Sequence, residues 1–128
     1  MELSGFYTME IPPYMMGVFR SFTSSERQSA YQLLCGAMMC NGRQNAAQIQ
    51  AINEICTAMN VSDFDRERSR SLSQSVMENT LRSLSDEKKF IIARGISTIA
   101  MADGNVSQQE NAYAMLWSEK LNINPEFF

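Results

Sequence analysis

The sequence predicts an all-α, single-domain helical bundle of about five helices, and three observations predict it. Prolines stand only at Pro12, Pro13 and Pro125, near the two ends. Between them apolar residues recur at helical spacing, and no β-branched run alternates with period two beyond the short stretch Phe6 to Ile11. Helix-start signals and Asn-Gly or Asp-Gly stops punctuate that pattern. A length of 128 residues fits one domain, and a hydrophobic content of 45% excludes disorder as the main description.

Residues 1–22 read as an N-terminal apolar arm, ahead of a helical domain over 23–128. Gly5, the Pro12-Pro13 pair and Gly17 interrupt the arm. Tyr14, Met15, Met16 and Phe19 make it sticky, so it must pack on its own domain or on a partner. Together with Met38 and Met39 these are the candidate partner-binding residues. Methionine surfaces re-pack around varied partners, and the chain holds ten methionines.

The first helix starts at the capping box Thr23-Ser24-Ser25-Glu26 and stops at Asn41-Gly42. The second spans Ala46 to Met59, with Ile49, Ile52, Cys56 and Met59 marking one face and Asn60 its end. A third is expected from Asp63 to Leu84, its start loaded with acids that suit the helix dipole. Leu72, Val76, Leu81 and Leu84 give it a thin apolar stripe. Ser69 to Ser75 has poor helix propensity, so this helix should fray or kink there. The charged run Asp63 to Arg70 reads as a solvated helix start. A fourth helix begins at Ser85 and is apolar nearly all round from Phe90 to Ala102, the expected central helix. Asp103-Gly104 ends it. A fifth starts at the capping box Ser107-Gln108-Gln109-Glu110, carries Trp117 as a core anchor and stops near Asn122.

Caps and breakers then repeat at one constant offset of about sixty residues. Thr23 falls on Ser85, Asn41-Gly42 on Asp103-Gly104, Asn45 on Ser107, Gln48 on Glu110, and Met59-Asn60-Val61 on Leu121-Asn122-Ile123. The repeat halves are about 23–65 and 85–127, two related helical hairpins joined by a linker helix.

Composition removes several function classes. There is no histidine, which excludes Ser-His-Asp and Cys-His catalysis and histidine metal sites. A net charge of −3 argues against nucleic acid as a partner. Cys35, Cys40 and Cys56 are read as reduced core residues. No glycine-rich phosphate loop or nucleophile elbow occurs, and no catalytic residue is assigned. The N-terminus lacks a signal-peptide pattern, and the longest apolar stretch contains Arg94 and is too short for a transmembrane span. The expectation is a bacterial cytoplasmic protein.

The one stretch with chemistry in it is Ala100 to Glu110. It matches the back half of a calcium-binding EF-hand loop, but the first two ligand positions fall on Ile99 and Met101, which offer no side-chain oxygen. Calcium takes about six to eight oxygens, so an EF-hand is rejected. Asp103 and Glu110 remain as candidate metal ligands for a weak divalent cation. They also have a purely structural reading, Asp103 in a turn and Glu110 closing a capping box.

A buried helix ending in Ala100-x-Ala102-Asp103-Gly104, followed by an apolar Val106 and the Ser107-x-x-Glu110 helix start, resembles the tellurite-resistance TerB-like family. The likeness is best over residues 88–123 and extends through the repeat over 23–65. It implies an all-helical, internally duplicated domain, linked to stress responses and to complexes at the inner face of the membrane, or attached to J-domain co-chaperones. It implies no enzymatic activity. It also implies a metal site at acidic positions, of which Asp103 and Glu110 match. The first-half equivalents are Asn41 and Gln48, uncharged near-isosteres. The expected function is a non-enzymatic interaction or regulatory module with a protein partner, including a homodimer formed through the arm. The alternative is a metal-binding or metal-sensing domain.

Overall fold

The computed structural model describes residues 13–40, 45–102 and 104–128, with the backbone alone at Tyr14. These residues form seven α-helices and no strand: α1 Met16–Arg20, α2 Ser24–Met39, α3 Ala46–Met59, α4 Asp63–Ser69, α5 Gln74–Arg82, α6 Asp86–Met101 and α7 Gln108–Lys120. Short 3-10 turns at Pro13–Met15 and Pro125–Phe127 stand at the two ends. The architecture is an all-α bundle, as the pattern predicted, with seven helices where five were expected.

Both additions have a physical cause. The arm carries α1, which packs on α3 and α6 and buries Met15, Phe19 and Phe22 in the common core. The predicted third helix breaks between Ser69 and Gln74 into α4 and α5. Gln32 on α2 donates from one amide nitrogen to the carbonyls of Ser69 and Leu72, each at 2.9 Å. The Ser69 carbonyl otherwise accepts from the Leu72 amide at 3.2 Å, in a turn rather than a continuing helix. Ser73 then caps a new start by accepting from the Val76 amide.

Elsewhere the local signals act as read. Thr23 with Glu26 and Ser107 with Glu110 form reciprocal capping boxes, and Ser62 with Asp65 forms a third. α3 and α7 close alike. Asn60 and Asn122 take the left-handed conformation, the amide of Val61 bonds back to the Cys56 carbonyl, and that of Ile123 to Ser118.

α6 is the central helix. Ile91, Ile92, Ile96 and Ile99 are buried along it, and it touches α1, α2, α3 and α7. Packed with it in one cluster are Leu33 and Leu34 of α2, Ile52, Ile55 and Met59 of α3, Leu81 of α5, Trp117 of α7 and Leu121 just after α7. Each such side chain contributes about 1.5–3 kcal/mol by leaving water. α2 and α7 approach closely because residue 36 is glycine. A Cβ there would collide with the hydroxyl of Tyr113, which donates to the Leu33 carbonyl at 2.7 Å.

The charged run at α4 is not wholly solvated. Asp65 and Ser69, one turn apart, face α2 and are 1% and 3% exposed. Asp65 accepts from Arg27 Nε at 2.8 Å, from Gln28 at 3.1 Å and from the Ser62 amide at 3.1 Å. Arg66 lies over the Tyr31 ring at 5.2 Å.

Candidate functional site

Glu110 is the third residue of α7, and its capping box turns the side chain inward, where it is 2% exposed. Oε1 accepts from the Ser107 amide at 2.8 Å. Oε2 accepts at 2.7 Å from Nε2 of Gln48, the third residue of α3. The same Nε2 also donates to the Ile99 carbonyl at 3.2 Å. A side-chain amide nitrogen thus sits between a carboxylate and a main-chain oxygen, where a small cation would otherwise be attracted. Gln48 is wholly buried, and its Oε1 has no hydrogen-bond partner. An unpaired buried acceptor costs about 1–3 kcal/mol, so this pair is a strained point in the core.

The candidate ligand set fits a divalent ion poorly. Glu110 is one carboxylate with both oxygens already engaged, against about six to eight oxygens for calcium. Asp103 lies outside the described residues, as does Asn41. Among the described residues no group of three acidic or cysteine side chains converges.

A second pair bridges the N-termini of α2 and α6. Lys88 donates to Glu26 at 2.7 Å and to the Ser21 carbonyl at 3.2 Å, and lies 5.3 Å from the Phe22 ring centroid. Burial pushes the Glu26 carboxyl up, but Lys88 and the Thr23 amide outweigh it and hold it below its ordinary range. Asp65 behaves likewise: burial raises it, and Arg27, the Ser62 amide and Gln28 together bring it lower.

The three cysteines are dull nucleophiles. Burial raises all three thiols above their ordinary value, Cys56 to about 11. At neutral pH they are protonated.

The partner-binding candidates separate. Met15 and Phe19 are buried, 5% and 0% exposed, and serve the chain's own core. Met38 is half-buried against that core. Met16 and Met39 are exposed. The side chain of Tyr14 lies outside the described residues. Of this set a partner would meet Met16 and Met39, not Met15 or Phe19.

Sequence reasoning missed the larger apolar surface. Met101, Val106, Met115 and Leu116 are 41%, 42%, 71% and 47% exposed. Met101, Val106 and Met115 line a cleft of about 280 Å³ between α6 and α7, closed by Pro125 and Phe128. Met115 and Leu116 share the neighbouring groove with Ala112 and Glu119. The signal was present in α7, whose apolar residues occupy two opposite faces. Trp117 points inward, and Met115 and Leu116 point out.

No family model matches the chain, and no curated protein matches it. Among solved structures it is similar to a protein of unknown function from Porphyromonas gingivalis W83. That likeness has a TM-score of 0.71 at 19% identity and covers 80% of this chain and 88% of the other. It shows the fold. Among the described residues no helix is long and apolar enough to cross a membrane.

Proposed function

We propose that the chain is a non-enzymatic interaction module whose contact surface is the α6–α7 face. The observation that carries this reading is the concentration of exposed apolar side chains at Met101, Val106, Met115 and Leu116. A contiguous apolar patch beside a cleft is how protein contact sites differ from ordinary surface. The polar groups at hand already have structural work: Glu110 closes a cap, Asp65 ties α4 to α2, and the thiols are protonated. The resemblance of residues 100–110 to the TerB-like family supports a regulatory part in a stress-linked complex.

The same reading takes the fold as an internal duplication, with α2–α3 and α6–α7 as two hairpins and α4–α5 as their connector. Supporting it, Glu26 meets Lys88 and Gln48 meets Glu110, each pair 62 positions apart. Side chains at equivalent positions touch each other only near an axis relating the halves.

A photo-crosslinking amino acid at position 115, with position 75 on exposed α5 as control, tests the function in the producing cell. A cross-linked product at 115 that Met101→Glu suppresses is expected. Equal labelling at both positions, or none at 115, overturns the reading.

The divalent-cation reading is the lesser one. What favours it is the unpaired Gln48 Oε1 beside the Glu110 carboxylate. Thermal unfolding of metal-stripped protein with calcium, magnesium, manganese or zinc tests it. A rise that both Asp103→Asn and Glu110→Gln abolish supports the reading, and no shift at millimolar ion ends it.

A further inference from the structure

Lys89 is a buried cation that faces no acid. The residue is 7% exposed on α6, and its Nζ donates to the Asn122 carbonyl at 3.3 Å. Asn122 takes the left-handed conformation just past α7, so Lys89 meets the negative end of that helix. Among the described residues no carboxylate pairs with it. Lys88 and Arg27 are less buried, yet each holds one, Glu26 at 2.7 Å and Asp65 at 2.8 Å. An ammonium has three protons to give, and the bond to Asn122 uses one. A buried charge so thinly matched is costly until something completes it.

A hollow of about 450 Å³ adjoins Lys89, bounded by Asp86, Asn122, Asn124, Pro125 and Phe127. Asp86, in the first turn of α6, is exposed, and its carboxylate has no partner among the described residues. Asn124 spends its side-chain oxygen on the Glu126 amide, which leaves its NH2 group to donate. Phe127 forms an apolar wall, its ring set edge-to-face on Phe90 at 5.3 Å. The hollow shares only Pro125 with the cleft between α6 and α7.

We propose that this hollow binds a free α-amino acid with an apolar side chain. The ligand carboxylate takes the spare protons of Lys89 and the Asn124 amide. Its ammonium goes to Asp86, and its side chain lies along Pro125 and Phe127. The charges choose the class. A simple anion suits Lys89 but is repelled by Asp86, and a simple cation meets the reverse. Asp86 and Lys89 stand three positions apart on one helix, so their opposite charges are offered on one face. A zwitterion carries the matching pair at short range. This inference goes beyond the α6–α7 contact surface and does not depend on it.

The test is isothermal titration calorimetry of the full chain with L-leucine and L-phenylalanine. Saturable binding with a Kd of about 0.1–5 mM is expected, since so small a ligand makes few contacts. 4-Methylpentanoate and 3-methylbutylamine are leucine without its ammonium and without its carboxylate. Each should bind about tenfold more weakly or worse, because one charged group of the hollow stays unmatched. Asp86→Asn lies in solvent and leaves the fold intact, and it should bring leucine down to the level of 4-methylpentanoate. Lys89→Met keeps the apolar stem and should abolish binding, with the melting temperature reporting on its fold. No saturable heat up to about 20 mM of either amino acid, well above the expected Kd, overturns the proposal. So does 4-methylpentanoate binding as tightly as leucine, or leucine binding that Asp86→Asn leaves unchanged.

Discussion

Gln48 and Glu110 are both the third residue of a helix, and they meet side chain to side chain at 2.7 Å, buried beside the C-terminal end of α6. The contact joins the N-terminus of α3 to that of α7. It spends a carboxylate on an amide and leaves the other amide oxygen unpaired. Removing either partner therefore exposes a buried polar group rather than merely deleting a bond.

Glu110→Ala should destabilise the protein by about 2–4 kcal/mol, combining a lost cap with an abandoned Gln48 donor. Urea unfolding of Gln48→Ala, Glu110→Ala and the double variant should give a coupling energy of about 1–3 kcal/mol. Additivity to within about 0.3 kcal/mol would mean the two side chains do not meet.

Gly36→Ala sets two effects against each other. Alanine gains about 1 kcal/mol of helix propensity in α2. Overpacking against Tyr113 costs about 1–3 kcal/mol, and its hydroxyl cannot retreat without leaving the Leu33 carbonyl. The net should be a lower melting temperature, much of it recovered in the Tyr113→Phe background. A stabilised single variant would show that α2 and α7 stand further apart.

Phe19→Ala should cost about 3–5 kcal/mol, because the ring is fully buried among residues of other helices. Chemical denaturation measures it. A loss below about 1 kcal/mol, typical of a surface site, would place the arm off the core.

Acid should unfold the protein through its two depressed carboxyls. Asp65 and Glu26 titrate below their ordinary values in the folded state, so the unfolded chain binds more protons as pH falls. Their contribution is complete above the unfolded values of about 3.9 and 4.3 and is lost as pH drops through the lower folded ones. Asp65→Asn should flatten the acid limb of melting temperature against pH while lowering the neutral plateau. An unchanged acid limb in that variant would show that Asp65 carries no such linkage.

Much of this fold was legible because caps are local. Thr23 needs only Glu26, Ser107 needs only Glu110, and Asn60 and Asn122 stop their helices with their own backbone. The break after Ser69 was legible as weakness but not as a stop, since its cause is Gln32, some forty positions away across a helix interface. The burial of Asp65 was hidden for the same reason. An acid at a helix start looks solvated until Arg27 and Gln28 arrive from another helix. At the candidate site, the start signals placed Gln48 and Glu110 each in the first turn of a helix, whereas their contact could not be read. The Met115 surface was legible only as a second apolar face of α7, and a methionine there does not itself say which of two apolar faces turns inward.

The tie between α2 and the α4–α5 connector has one more consequence. Two hairpins that fit each other inside one chain would fit equally well across two chains, exchanging partners and building open-ended tangles. Arg27 and Gln28 on Asp65, with Gln32 on the carbonyls that follow, clamp the connector against the first hairpin. The connector is thereby anchored to α2 along its first half. Loosening these few polar contacts would free the connector, and with it the exchange of helices between neighbouring chains.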